Sequence, residues 1–215
     1  MSLKYAYLGP AGTFTQAALQ KIAASTDDLI PYANVTAALN AVRSGECAKA
    51  LVPIENSVEG VVARTLDELL ELAISNKKDL VIELKHPVST GALIEKLVHK
   101  LLKSRQAEIK SSGIQISLIS FSYFATLRNL KSGYQTGYLV KNSNLIRFNP
   151  APVIALSIEI LRQNPEVVAE QHKRGKKVFI WTVNEAADLD LCSKVGVDVV
   201  ITDKPEQARK LLGYS

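Results

Sequence analysis

Cysteine, histidine and tryptophan are all scarce in this chain of 215 residues, which holds two, three and one of them. Cys47 and Cys192 stand far apart, with no CxxC pair and no paired histidine spacing. A zinc site or a disulfide framework is therefore excluded as an organising feature, and two free thiols are expected. No apolar run approaches the ~20 residues that a membrane helix needs. The opening MSLKYAYLGP passes straight into a strand pattern without a signal-peptide core, so a cytoplasmic protein is expected. Charge of one sign is only mildly in excess, at a net +5. The basic residues are spread out, densest over Lys96–Lys110 and His172–Lys177, where helices would end or turn. Such groups read as solvated faces, and neither nucleic acid nor a membrane is expected as a partner. The disorder signature is lacking too, because 47% of the residues are hydrophobic and 22% charged.

What is present is an alternation of short β-rich runs and amphipathic helical stretches. The strand pattern falls on Tyr5–Leu8, Leu29–Tyr32, Ala50–Ile54, Leu80–Leu84, Ile116–Phe121, Thr136–Val140, Val153–Ile158, Lys177–Thr182 and Asp198–Thr202. Several of these runs (LVIEL, KVFIW, VDVVIT) are apolar almost throughout, as parallel strands covered on both faces require. Between them lie TFTQAALQKIAA, VTAALNAVRSG, TLDELLELAI, ALIEKLVHKLLKS, FATLRNLKS, PEVVAEQHKRG, EAADLDLCSKVG and PEQARKLLG. Gly45, Gly133, Gly175 and Gly196 each follow a helix pattern and precede a strand, as stop signals do. The class is α/β with a mainly parallel sheet. No Ser/Gly/Pro-rich linker interrupts it; the longest loop candidate, Lys141–Pro152, lies inside the repeating pattern. One continuous α/β domain over 1–215 is expected.

Two turns near the N-terminus have the residue types of a ligand site. Tyr7–Phe14 reads YLGPAGTF, in which Gly9 and Gly12 permit a tight turn and Thr13 or Thr15 can cap the next helix. Free N–H groups at such a helix start attract anions, although a Gly-containing βα turn is structural at least as often. Val52–Gly60 reads VPIENSVEG and puts Glu55, Asn56 and Ser57 at a strand's C-terminal end, where α/β sheets bind ligands. A plain helix cap by Asn56 or Ser57 fits the same spacing. Together, YLGPAGTFTQAAL and VPIENSVEGVVARTLDEL resemble the first lobe of prephenate dehydratases, over residues 4 to about 70. That resemblance implies Gly9, Gly12, Thr13, Glu55, Asn56 and Ser57 as site residues. The family eliminates water and carbon dioxide from prephenate to give phenylpyruvate, with a Thr-Arg-Phe segment of a second lobe central to catalysis. Neither Arg64-Thr65 nor Thr126-Leu127-Arg128 is that motif, and TGALI at Thr90–Ile94 is only a faint likeness to the family's regulatory domain. Dehydratase activity is not expected.

From Thr65 onward the motifs change. Glu83 and Lys85 alternate along a strand and so point to one side at its C-terminal end, the end that carries the chemistry in a parallel barrel. A carboxylate there can hold a hard cation and an ammonium can neutralise a phosphate oxygen; a simple ion pair fits the spacing as well. The series IELK, SF, WTVN and GVDVVITDKP resembles the later two-thirds of glycerophosphodiester phosphodiesterases, which are (β/α)₈ barrels, over residues about 65 to 215. The resemblance implies Glu83 as a metal ligand, Lys85 as a phosphate contact and Trp181 as a site-lining aromatic. The family opens with a His-Arg, an acidic metal-binding pair and a His-Asp, and in this chain that region is occupied by the dehydratase-like segment. Of His86, His99 and His172, only His86 follows the IELK strand. Glu83 alone cannot complete a divalent site, so no cofactor is expected unless a partial phosphodiesterase-like site still draws a metal.

Thr65–Leu72 (TLDELLEL) satisfies the helix start of both patterns, so a splice placed there keeps capping and periodicity intact. The expectation is a chimera, engineered or else a product of natural recombination, with a dehydratase-lobe-like fragment over 1–66 and a phosphodiesterase-barrel-like fragment over 67–215. The fold class expected is α/β, a TIM-barrel-like parallel barrel of nine strands. Its first three strands would run in the order 2-1-3, and strand two would close onto Asp198–Thr202. Without an intact catalytic set, the partners left are phosphate or another small anion, and a second copy of the chain along an unclosed edge.

Overall fold

The computed structural model describes residues 2–53, 59–85 and 92–214, with the backbone alone at 59–64. The chain packs as two compact units, Met1–Lys78 with Lys100–Gly113, and Asp79–His99 with Ile114–Ser215.

In the first unit the strands β1 (Lys4–Leu8), β2 (Asp28–Tyr32) and β3 (Lys49–Leu51) pair in parallel in the order β2-β1-β3. This is the 2-1-3 order expected. The central strand β1 alternates its side chains between two small cores, since successive residues of a strand face opposite ways. Ala6 packs with Ala38, Ala41 and Cys47, while Tyr5 and Tyr7 pack with Leu19 on the other side. Leu19 ends α1 (Phe14–Leu19), and the two alanines belong to α2 (Val35–Arg43). Three alanines at that contact let the α2 backbone lie close to the sheet. Asn34 fixes the start of α2, its side chain accepting the Ala37 N–H at 2.8 Å. The shared TLDEL motif lies in α3 (Glu59–Ser75). The helix α4 (Leu93–Ser104) lies across the division between the units. The following α5 (Gln106–Ser112) has no counterpart among the expected helices, because its QAEIKSS buries only Ile109 and shows no apolar stripe. Arg105 anchors the start of α5, reaching Asp67 of α3 at 2.8 Å and Glu108 at 2.9 Å.

The second unit holds β4 (Leu80–Glu83), β5 (Ile116–Ser120), β6 (Gln135–Val140), β7 (Val153–Ser157), β8 (Lys177–Trp181) and β9 (Val199–Val200). They form one sheet in sequential order, every pair parallel. Connections run through α6 (Tyr123–Leu130), a 3₁₀ turn at Ser143–Phe148, α7 (Ile158–Gln163), α8 (Val167–Lys173) and α9 (Ala186–Val195), with α10 (Pro205–Leu211) after β9. One sheet face lies under the helices, where Val140, Ile154, Leu156, Val178 and Ile180 meet Leu161, Val168 and Leu189. The other gathers Ile119, Leu139, Val153, Ala155 and Phe179, with Trp181, Val199 and Ile201 against them. Every residue of β5 and β7 is buried, which is why ISLIS and VIALS are not alternating sequences. Among the described residues no helix is long and apolar enough to cross a membrane.

All nine expected strands are found, with ends shifted by up to three residues. Among the described residues their pairings give a sheet of three and a sheet of six. Two of the four edge strands are the shortest in the protein, three residues in β3 and two in β9, and offer few backbone groups for continuing a ladder. The expected Lys141–Pro152 loop contains the 3₁₀ turn, started by Asn142 Oδ1 accepting the Asn144 N–H. Gly45, Gly133, Gly175 and Gly196 all take positive φ, from 70° to 81°, as helix stops do.

Gly137 is a point of close approach between strands. A Cβ there would lie 2.9 Å from Ile119 Cγ2 and 3.2 Å from Val153 Cβ and Cγ1, its two register partners. Gly137→Ala is expected to cost about 1–3 kcal/mol through overpacking. Leu156→Ala, a truncation in the helix-covered core, is expected to cost about 2–5 kcal/mol. Urea midpoints at constant m would check both. Cys192 is buried and its thiol is pushed up to about 11 from 9.0, chiefly by burial. The folded state thus favours the protonated thiol, so this contribution to stability is complete below about pH 9 and is lost as pH rises toward and past about 11. The loss of stability between pH 8 and 10.5 is expected to be smaller in Cys192→Ala.

Candidate functional site

Parallel pairing sets side chains of register partners on the same face, so the position of Glu83 is fixed by its neighbours. Glu83 pairs with Ile119, Ile119 with Gly137, and Gly137 with Val153, which places Glu83 on the face opposite the helices. Trp181 pairs with Ser157, two residues beyond Ala155, and lies on that same face. Both stand at C-terminal strand ends. The end of β4 is extended by Leu84, whose N–H donates to Ile119 O at 2.8 Å and whose carbonyl accepts Ser120 Oγ at 2.8 Å. Lys85 comes next, exposed. Neither Glu83 nor Lys85 has an ion-pair or hydrogen-bond partner among the described residues.

Trp181 is held in place from two sides. Its indole N–H donates to Ala155 O at 3.1 Å, and its ring meets Phe121 edge-on at 5.3 Å. Asn184 makes three side-chain hydrogen bonds. Its Oδ1 accepts from Thr202 Oγ1 at 3.0 Å and from the Asp203 N–H at 2.9 Å, while its Nδ2 donates to Asp203 at 2.8 Å. Lys204 joins the knot, donating to Asn184 O at 3.2 Å and lying 3.6 Å from Glu185. The WTVN and TDKP motifs are therefore tied to each other through the ends of β8 and β9.

The described histidines do not reach this rim. His99 Nε2 hydrogen-bonds Asn129 Oδ1 at 3.0 Å, between α4 and α6. His172 Nε2 hydrogen-bonds Asp198 Oδ2 at 2.8 Å; the same oxygen accepts the Val178 N–H at 2.7 Å, near the N-terminal end of β8. Both are partnered, and His172 is exposed, as its helix pattern implies. His86 lies outside the described residues. Among the described residues no group of three or more His, Cys, Asp or Glu could hold a metal ion.

A polar seam that motif reading missed runs between α4 and α6. Glu95 is 1% exposed, and Arg128 donates to it through both Nε and Nη2. With His99–Asn129 one turn along, it joins Glu95 and His99, at i and i+4, to two adjacent residues of α6. That spacing was the available signal, and an amphipathic helix hides it, because a buried charge at the edge of the stripe looks like any surface glutamate.

In the first unit, Gly9 donates its N–H to Tyr32 O at 2.9 Å, and a Cβ on it would lie 2.9 Å from Pro31 Cβ. Its smallness serves packing against β2. Gly12 takes φ +86° and donates to Gln16 Oε1 at 2.6 Å. Thr13 is the N-cap of α1, accepting the Gln16 N–H at 3.4 Å. These are structural roles, the alternative that the sequence left open. Glu55, Asn56 and Ser57 lie outside the described residues. Nearby, Tyr32 donates its hydroxyl to Glu46 at 2.8 Å, 3.6 Å from the Cys47 sulfur, and these partners raise the phenol's pKa.

Comparison with known proteins finds both likenesses. Residues 5–111 match the prephenate dehydratase family. The prephenate dehydratase of Amycolatopsis methanolica is 50% identical over 66 residues, 31% of this chain and 22% of that protein. That of Lactococcus lactis subsp. cremoris is 30% identical over 188 residues, covering 85% of this chain and 64% of the relative. This chain thus spans less than two thirds of either. Among solved structures, the glycerophosphodiester phosphodiesterase of Thermotoga maritima superposes with a TM-score of 0.52 at 23% identity, over 68% of this chain and 62% of that one. The likeness is one of fold. The dehydratase match reaches residue 111, past the bound of about 70 that the motifs suggested.

The Asn184 knot should be worth measurable stability. Asn184→Ala removes three side-chain hydrogen bonds and is expected to cost about 1–2 kcal/mol, given partial exposure. Asp203→Ala in the same background should add less than it does alone, a coupling that a double-mutant cycle would measure.

Proposed function

We propose that this chain is a composite α/β protein, engineered from a dehydratase-lobe-like front and a phosphodiesterase-barrel-like back. Its C-terminal rim binds a small anion and carries no complete catalytic set. The closed form would be the nine-stranded, TIM-barrel-like domain expected above, located in the cytoplasm and self-associating along any strand edge left unclosed. The observation that carries the anion reading is Lys85: an exposed ammonium one strand-period beyond Glu83, without a partner among the described residues. Asn184 and Lys204 at the same rim are engaged with their neighbours. An unpaired cation beside a sheet's C-terminal end is suited to a phosphate oxygen.

Hydrolysis asks for more than the described residues of this rim supply. A hard divalent cation needs several oxygen ligands, and Glu83 is one. General acid/base work needs a proton carrier within hydrogen-bond reach of the substrate, and both described histidines are held elsewhere. For the dehydratase reaction, the resemblance makes a Thr-Arg-Phe segment central, and this sequence has none.

Inorganic phosphate should raise the melting temperature, by an amount equivalent to about 1.4 kcal/mol at ten times its Kd. Lys85→Ala should remove most of that shift. No turnover above a buffer control is expected with glycerophosphocholine and excess Mg²⁺ or Ca²⁺, nor any phenylpyruvate from prephenate. Metal-dependent hydrolysis lost in Glu83→Ala would replace this reading with that of a residual phosphodiesterase.

A further inference from the structure

From Ile109 to Ile158 the sequence contains no Asp or Glu, while it carries Lys110, Arg128, Lys131, Lys141 and Arg147. Two of these cations stand where β6 gives way to the 3₁₀ turn: Lys141 and Arg147, both exposed. Arg147 lies over the Phe148 ring at 4.6 Å. Phe148 is 52% exposed and Leu145 40%. The neighbouring strand β5 leads into Phe121, Tyr123 and Phe124, exposed by 40%, 40% and 71%. Because β4, β5 and β6 are adjacent and parallel, their C-terminal ends lie at one end of the sheet. That sector of the rim thus presents apolar rings and a leucine flanked by Lys85, Lys141 and Arg147. The acids at this end include Glu159, Glu185, Asp188, Asp203 and Glu206 after β7, β8 and β9; Glu95, in the first turn of α4 after β4, is buried and paired with Arg128, and Glu83 ends β4 on the face opposite the helices.

We infer that the β5–β6 sector of this rim docks the protein onto an anionic phospholipid surface. Exposed phenylalanines and a leucine beside arginine and lysine have the chemistry of an interfacial contact: rings enter the headgroup boundary and cations meet lipid phosphates. No spanning helix is needed for such contact. Single-stranded nucleic acid also uses aromatics among cations, but there successive bases stack on rings that offer their faces in series. Here Tyr123 and Phe124 meet edge-on at 83°, so they form no continuous stacking platform.

The test is flotation of the full chain with vesicles of phosphatidylcholine alone, or with phosphatidylserine at about a third of the lipid. Several-fold more protein should float with the anionic vesicles, and the difference should collapse in about 1 M salt, where the Debye length is ~3 Å. The double variant Phe124→Ser/Phe148→Ser should lower flotation about tenfold, with an unchanged circular dichroism spectrum because both rings are exposed. Lys141→Glu/Arg147→Glu should lower it as well, which gives an independent arm should the first variant misfold. Equal flotation with neutral vesicles, or none with either, overturns the inference. So does self-association without lipid that the phenylalanine variant abolishes, or tighter binding to poly(U) than to the anionic vesicles.

Discussion

Parallel pairing in the six-stranded sheet is the constraint on which most other features depend. Strands that run the same way cannot be joined by tight hairpins; each needs a crossover, and the crossovers here are mostly helices that cover one face. With the other face also buried over β5 to β8, the strands have no wet side on which to put a polar residue. Polar chemistry is thereby displaced to strand ends and helix seams. The Asn184 knot, Glu83, Lys85 and the exposed rings all stand at C-terminal ends, where the chain leaves the ladder and backbone direction is set by a turn. Spacing within the sheet is tight enough that one position, Gly137, has no room for a methyl group between Ile119 and Val153.

The first unit meets the same constraint on a smaller scale. Its sheet has three strands and one central member, so only β1 needs burial on both faces. Ala6 on one side and Tyr5 and Tyr7 on the other divide that burial between α2 and α1. The Gly9 and Gly12 turn that leads out of β1 is built for its own geometry. One glycine clears Pro31, the other takes a left-handed φ, and Thr13 caps α1.

How far the sequence reveals this depends on the length scale of the interaction. Strand positions were legible because nearly apolar runs such as KVFIW and VIALS leave few alternatives, and the helix stops were legible as glycines. The helix α5 was not, since QAEIKSS is polar and is held by Arg105 reaching Asp67 far back in the chain. The role of Asn184 was legible only as a place in a motif; its partners come from residues 202 and 203, on another strand end. The extent of the edge strands was the least legible feature, because β3 and β9 have only three and two residues.

The two cysteines end up distributed in an instructive way. Cys47 is buried in the small core between α2 and β1, and Cys192 is buried in α9 against the larger sheet, so each unit contains one thiol and neither is bonded. A thiol reagent can reach either one only when its surroundings open. Alkylation rates at the two positions therefore report the opening free energies of two separate regions of the same molecule. If both sulfurs react with one rate constant, the whole chain unfolds as a single cooperative block; if they differ, the units are distinct foldons.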